Sequence, residues 1–463
     1  MTQRRRGVVS DDRLIALSAF ASELQVDALP PNAVEAAKAA ILYGLAVGVA
    51  STESPLLQTL GAVADGWSDG SNATRFMDGG KTGARAAAMA NGALLHIRMQ
   101  EDAHPAGHVG VVILPAAIAE AEAVGADGGA LLAAVAAGYE IALRIGRDHA
   151  SALSGRGFRT TPIYGAMGAA VAASRLRNRS SEETANALSL AANMAGGLRE
   201  FQEAGTTEYA LHAGLGAQNG LMAAALAGAG VPAAHSVLSG KAGFYAAYGD
   251  KETDFGARLL DELGEVYELE RLTYKPYPGG QFHRNIIGGL KDMRARADGR
   301  DISAIHIRLN SFVANFPGLQ YAGPFETYSQ AFYSIPFCAA LTWVDGTVGF
   351  RGLHRFDDER LLSIIPRVEV ITDDDRPVYD PKIDVVLADG DVFEWAEESG
   401  EDAYRLNWAS ATAMARQLGD EVGVTPEVVG RLIDAVDGLA VAPGVDTLVE
   451  SVCRAVAEAK AAA

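Results

Sequence analysis

Residues 90–115 read ANGALLHIRMQEDAHPAGHVGVVILP and place three of the chain's nine histidines, His96, His104 and His108, beside the adjacent acids Glu101 and Asp102. The stretch begins in an Ala-rich run of helical spacing and ends in another apolar run. Pro105 and Gly107 punctuate the interval between them, which marks a loop held on both sides by helices. Imidazole titrates nearest neutrality, so two histidines next to two carboxylates supply groups that give and take protons without a cofactor. We read 90–115 as an active-site loop; the competing reading is a set of satisfied His–acid pairs with only a structural role.

Working outward, 463 residues exceed one ordinary core and predict two domains, or three. With 49% hydrophobic and 21% charged residues, the chain has a globular balance and ample material to bury. A net charge of −19 disfavours nucleic acid and anionic membrane surfaces as partners. An anionic small-molecule substrate therefore needs a local cationic pocket. Cys338 and Cys453 are the two cysteines, too few for a disulfide framework or a cysteine-based metal motif. The basic opening MTQRRRG is followed by residues 10–13, SDDR, instead of an apolar run, and does not read as a signal peptide. The apolar stretches at 39–50 and 128–138 are too short to span a bilayer. The expected compartment is the cytoplasm.

Periodicity predicts a first helix capped by Asp11 or Asp12 and ending at Leu24, then helices over 31–49, 83–96, 113–123, 129–147, 164–176, 181–194 and 212–228. The Gly/Ser cluster at 66–72 interrupts them. Ser180 with Glu182 and Glu183 forms a helix-start signal. Near Glu268 the texture changes, and ISAIHIRLN from Ile302, RVEVITDD and KIDVVLADGDVFEW alternate as strands do. Helical spacing returns over 407–418, 425–435 and 446–460. The expected fold is mainly α: a large all-helical domain built from residues 1–268 and 405–463, interrupted by a smaller α+β lid at 269–404. His104 and His108 lie four apart, but there is no HExxH and a Pro/Gly loop is not a helix, so no metal is expected. No Gly-rich phosphate loop follows a strand, and no cofactor is expected.

Several segments, in order over nearly the whole chain, carry a resemblance: ANGALLH, HPAGHVGVVILPAA, RGF followed by GAMGAAVAASRL, LHAGLGAQNGLMAAALA, KPYPGG and ETYSQAFYSIPFCAAL. The sequence resembles the MmgE/PrpD superfamily, which includes 2-methylcitrate dehydratase, cis-aconitate decarboxylase and iminodisuccinate epimerase. The resemblance implies a helical domain with an α+β lid, a homodimer, and a metal-independent site between the domains for small polycarboxylates. It places the family's catalytic His on His108 and its Lys on Lys275. Elsewhere the sequence departs from the pattern. The family's Asp falls on Met99, although the acid pair that follows is represented by Glu101 and Asp102. The His after RGF is Arg159, the Lys before LHAG is Tyr209, and the Cys-Cys of the KPYP segment is Gly279-Gly280. The later His is replaced by Arg284, with His283 one place earlier.

Proton removal next to a carboxylate needs a positioned base and a site that stabilises the enediolate. His108 and Lys275 are expected to divide those tasks, with Tyr209, Glu101 and Asp102 as further catalytic candidates. Arg159 exchanges a titrating group for a bidentate cation suited to clamping a carboxylate. His104, His283 and Arg284 complete the expected substrate-binding set. The function expected is a cofactor-independent lyase, a dehydratase acting on a polycarboxylate or carboxylate-bearing metabolite. An epimerase using the same deprotonation, or a non-catalytic ligand-binding member, is the alternative.

Overall fold

Small residues set how the helices of the first half meet. Helix Tyr209–Gly228 crosses helix Ala84–His96 at Gly214 and Gly92, where a Cβ on Gly214 would fall 2.3 Å from the Met89 carbonyl oxygen. Backbone therefore touches backbone at this crossing, and nothing larger than hydrogen fits. The same Ala/Gly-rich packing joins these two helices to Gly110–Val124, Gly128–Arg147 and Thr160–Leu176. The computed structural model describes residues 11–66, 70–398, 400 and 402–463. The basic opening at 1–7, Ser10 of the stretch after it, and residues 67–69 of the Gly/Ser cluster lie outside the described residues.

Each expected helix is present, and where the starts differ there is a physical reason. Helix Asp12–Glu23 is capped by the Asp11 side chain, which accepts from Arg13 N–H. Ser180 and Glu183 form a reciprocal capping box. Helix Thr160–Leu176 begins four residues before the predicted 164, because Pro162 sits in the first turn, where a missing N–H costs nothing. Gly110–Val124 and Tyr209–Gly228 likewise start three residues early, so His212 lies inside a helix and does not open it. Helices Pro31–Val49 and Gly128–Arg147 are each long and apolar enough to cross a membrane, contrary to the reading of their cores as too short. Yet 72% and 94% of those windows are buried inside the fold, as core helices would be.

The two ends of the chain meet. Helices Trp408–Glu421, Pro426–Asp437 and Asp446–Ala462 pack on Pro31–Val49, and Arg98 donates to both carboxylate oxygens of Glu421 at 2.9 Å. Between the ends, a four-stranded sheet runs in the order Val368–Thr372, Ile302–Leu309, Lys382–Leu387, Val392–Ala396. The first pair is parallel and the others antiparallel. KIDVVLADGDVFEW is thus two strands, turned at Asp389 and Gly390. Helices His283–Ala297 and Ile335–Asp345, absent from the sequence reading, pack against each other and onto the sheet; Gly289 lets Trp395 lie on the first of them.

Gly214→Ala should destabilise the protein by about 1–3 kcal/mol, as overpacking does. Gly430 lies inside helix Pro426–Asp437 with nothing within 4 Å of its missing Cβ, so Gly430→Ala should stabilise by about 0.5–1 kcal/mol. Urea unfolding of both variants checks the pair; equal effects would contradict this account of the crossing.

Candidate active site

The loop after helix Ala84–His96 is tied down at its centre. Ala103 and Thr273 exchange backbone hydrogen bonds at 2.8 and 2.9 Å, which brings the KPYPGG segment alongside Glu101 and Asp102. Tyr43, from helix Pro31–Val49, donates to the Lys275 carbonyl at 2.8 Å and accepts from Lys275 N–H at 3.1 Å. Lys275 Nζ then reaches Glu101 Oε1 at 2.8 Å, with both side chains 1% exposed. The ammonium also donates to the Met99 carbonyl at 2.8 Å and to the Gly279 carbonyl at 3.2 Å. All three of its N–H donors are therefore spent within the protein.

Glu101 is the hub of the charges. Its Oε1 lies 3.6 Å from His108 Nδ1, and its Oε2 lies 3.3 Å from His96 Nδ1. Burial pushes its carboxyl up, but Lys275, His96 and His108 overcome that and hold it well below the usual range. Lys275 is lowered by burial, against the pull of Glu101. Asp102, on the other side of the loop, accepts from Tyr139 Oη at 2.7 Å, and burial pushes it up to about 6.

His108 Nδ1 is 2.7 Å from the Asp102 carbonyl oxygen. A carbonyl only accepts, so the proton is on Nδ1 and Nε2 carries the lone pair. Burial, then the Lys275 cation, lowers this imidazole to about 3, so it is neutral near pH 7. His104 is arranged differently. Its Nδ1 accepts from Ala106 N–H at 3.1 Å, which leaves Nε2 to donate towards Glu268 at 3.3 Å. Glu268 also pairs with Arg147 and is held at about 2; burial opposes this, and the bonds from His104 and Arg147 outweigh it.

A cavity of about 180 Å3 is lined by His104, Gly107, His108, Arg159, Lys275 and Met99, and closed by Gly279–Phe282, Gln202, Phe316, Leu319 and Tyr333. Arg159 stands 3.4 Å from His96 Nε2 and 3.7 Å from Met99 Sδ, above the Phe201 ring. It has no carboxylate partner among the described residues, and its Nε is buried without a hydrogen bond. The cavity thus holds one cation spent on Glu101 and one unspent. A neutral base faces them.

The family model described as the MmgE/PrpD N-terminal domain matches residues 15–255, just over half of the chain. The chain belongs to the MmgE/PrpD family. It is 29% identical over 218 residues to the cis-aconitate decarboxylase-like protein oryM of Aspergillus oryzae, covering 45% of each chain. It is 27% identical over 313 residues to a cis-aconitate decarboxylase of Aspergillus terreus, covering 63% of this chain and 64% of that one. With the human cis-aconitate decarboxylase it shares 26% identity over 328 residues, 66% of each chain. The matches to these curated relatives thus span from under half to about two thirds of their length.

Of the residues singled out in this MmgE/PrpD sequence, His108, Lys275, Arg159 and His104 line the cavity, and Glu101 lies directly behind it. The others need correction. Tyr209, expected as a catalytic group, does not reach the cavity: it is buried, its hydroxyl donates to the Ile97 carbonyl at 2.8 Å, and burial raises its pKa well above the usual phenol value. Asp102 faces Tyr139 and Gly110 behind the loop, with no surface on the cavity. His283 Nε2 is bonded at 2.9 Å to the Tyr333 backbone carbonyl, and Arg284 lies over the Tyr379 and Tyr404 rings, so neither lines the cavity. His104 lines it but spends both ring nitrogens on the protein, so it shapes the loop and offers no nitrogen to a ligand. Sequence reasoning missed four residues. His96 and Tyr333 stood inside the quoted ANGALLH and ETYSQAFYSIPF segments, whereas Gln202 and Glu268 carried no signal.

Tyr209→Phe should cost about 0.5–1.5 kcal/mol of stability, the worth of one hydrogen bond. The same variant should leave turnover within about threefold of the parent, since the hydroxyl does not reach the cavity. A loss of activity without a loss of stability would return Tyr209 to the catalytic set.

Proposed function

We propose that the protein is a carboxylate-acting lyase of the dehydratase kind, in which His108 Nε2 removes a proton next to a carboxylate held by Arg159. The observation that carries the reading is the pairing of a neutral, tautomer-fixed imidazole with an unspent guanidinium across one small cavity. Arg159 binds the carboxylate through two parallel N–H groups and lowers the energy of the enediolate as charge moves onto its oxygens. Lys275 holds Glu101 and the loop in place, since its donors are already engaged within the protein. In the elimination the C–H electron pair becomes the double bond, the C–O bond breaks, and the hydroxyl leaves as water after taking a proton. Tyr333 lines the cavity and accepts from Gln202 Nε2 at 2.8 Å, which leaves its own O–H to donate.

The relatives' names, cis-aconitate decarboxylase and a protein like it, support the carboxylate-acting class. An epimerase with two opposed bases fits the cavity less well. The second base would be Lys275, and a buried ammonium with three engaged donors has no lone pair to use. A homodimer in the cytoplasm working on a small anionic substrate is the setting we propose with it.

His108→Gln should keep the fold and lower turnover by about two to four orders of magnitude, the usual contribution of general acid–base catalysis. Because the folded imidazole is lowered to about 3, protonation should not switch off kcat/KM near the ordinary imidazole value as pH falls from 7. A limb near 6 belongs to Asp102 and should vanish in Asp102→Asn. An acid limb between 6 and 7 that survives Asp102→Asn would contradict the lowered imidazole, and a fully active His108→Gln protein would refute His108 as the base. Mass spectrometry in deuterated water over a panel of hydroxylated carboxylates separates the classes: water loss marks a lyase, solvent deuterium without water loss an epimerase, and neither a binder.

A further inference from the structure

A second cavity, of about 470 Å3, adjoins the first and shares Gln202, Phe316 and Tyr333 with it. Side chains mark the boundary. Gln202 Nε2 donates to Tyr333 Oη at 2.8 Å, and Gln202 Oε1 accepts from Arg199 Nε at 2.8 Å, with Arg199 lying over the Phe316 ring. The two spaces differ in charge. Arg159 and Lys275 line the first, whereas among the described residues Glu203 is the one charged residue lining the second.

The rest of the second wall is built to hydrogen-bond neutral groups. Gln320 spends its Nε2 on the Ala314 carbonyl and keeps its Oε1. Gln330 spends its Oε1 on the Glu326 and Thr327 amides and keeps its Nε2. Ser329 is 1% exposed, and its Oγ has no hydrogen-bond partner among the described residues. A buried hydroxyl left without a partner carries a desolvation cost that a bound polar atom removes.

We propose that this second cavity is an extension subsite of the same active site, taking an uncharged, hydroxyl- or amide-bearing tail of a substrate whose carboxylate sits on Arg159. The proposal rests on the reading of the first cavity as carboxylate-acting and narrows its substrate class. A tail passing from one cavity to the other takes over the hydrogen bond that Gln202 makes to Tyr333. A second carboxylate carried there would face Glu203, and Arg199, the cation at the boundary, already donates to Gln202 and lies over the Phe316 ring. The substrate is then a monocarboxylate with a neutral polar tail.

The test reads binding with chemistry switched off. In His108→Gln protein, calorimetric titration compares succinate with the mono-(2-hydroxyethyl)amide of succinic acid, which keeps one carboxylate and replaces the other by a neutral tail. The monoamide should bind about tenfold more tightly, the worth of one or two net hydrogen bonds. Ser329→Phe, outside the first cavity, should erase that preference and leave the succinate Kd unchanged. Gln320→Trp, on the exposed rim, serves the same purpose if circular dichroism shows that Ser329→Phe does not fold. No preference in the parent, no binding of either acid at millimolar concentration, or equal weakening of both by the filling variants, as a mere entrance would give, overturns the subsite. Water loss by wild-type protein over the hydroxylated panel separates the two claims. Water loss without a tail preference defeats the subsite alone, and a preference without water loss upholds the subsite while defeating the lyase.

Discussion

The ion pair between Lys275 and Glu101 is the constraint on which the site depends. Both side chains are 1% exposed, and two charges removed from water are tolerable only while each keeps the other and their remaining hydrogen-bonding positions are filled. The protein meets that condition with the Met99 and Gly279 carbonyls on one side and two imidazoles beside the carboxylate on the other. Two stretches far apart in sequence are thereby locked together: the end of helix Ala84–His96 with the loop that follows it, and the Pro-rich turn at Lys275. The arrangement also fixes the electrostatics. Glu101 neutralises the lysine, and Arg159 is left as the charge a ligand would feel.

Arg159 and Met99 read as a linked pair of departures from the family pattern. The resemblance places a His and an Asp at these positions, and here they are a permanent cation and a thioether 3.7 Å apart. Met99 has φ 55°, a left-handed conformation that suits Asp, Asn or Gly better than an unbranched apolar side chain and costs on the order of 1 kcal/mol. An aspartate here would pair with Arg159 and cancel its charge. The strained methionine leaves the guanidinium available.

The sequence announced the helical architecture well because Ala/Gly periodicity and caps such as Ser180–Glu183 are local signals. Helices His283–Ala297 and Ile335–Asp345 escaped because one is rich in charge and glycine and the other is a short apolar run that periodicity cannot assign. At the site, His108, Lys275 and Arg159 were legible from motifs. What the motifs could not convey is where each donor is spent. Tyr209 turns to a backbone carbonyl, His104 uses both nitrogens, and His283 bonds a carbonyl fifty residues away. Gln202 and Glu268 come to the site through tertiary contacts that leave no mark in sequence spacing.

Gly279 has φ 126°, and a Cβ there would meet the Phe332 carbonyl oxygen at 2.9 Å. The resemblance places a cysteine at this position, and no L side chain fits the backbone that this chain now adopts. A cysteine at residue 279 fits only if the turn around Lys275 moves first. Grafting a relative's residues onto this scaffold one at a time would meet that limit at this glycine, where the main chain and not a side chain decides what is accepted.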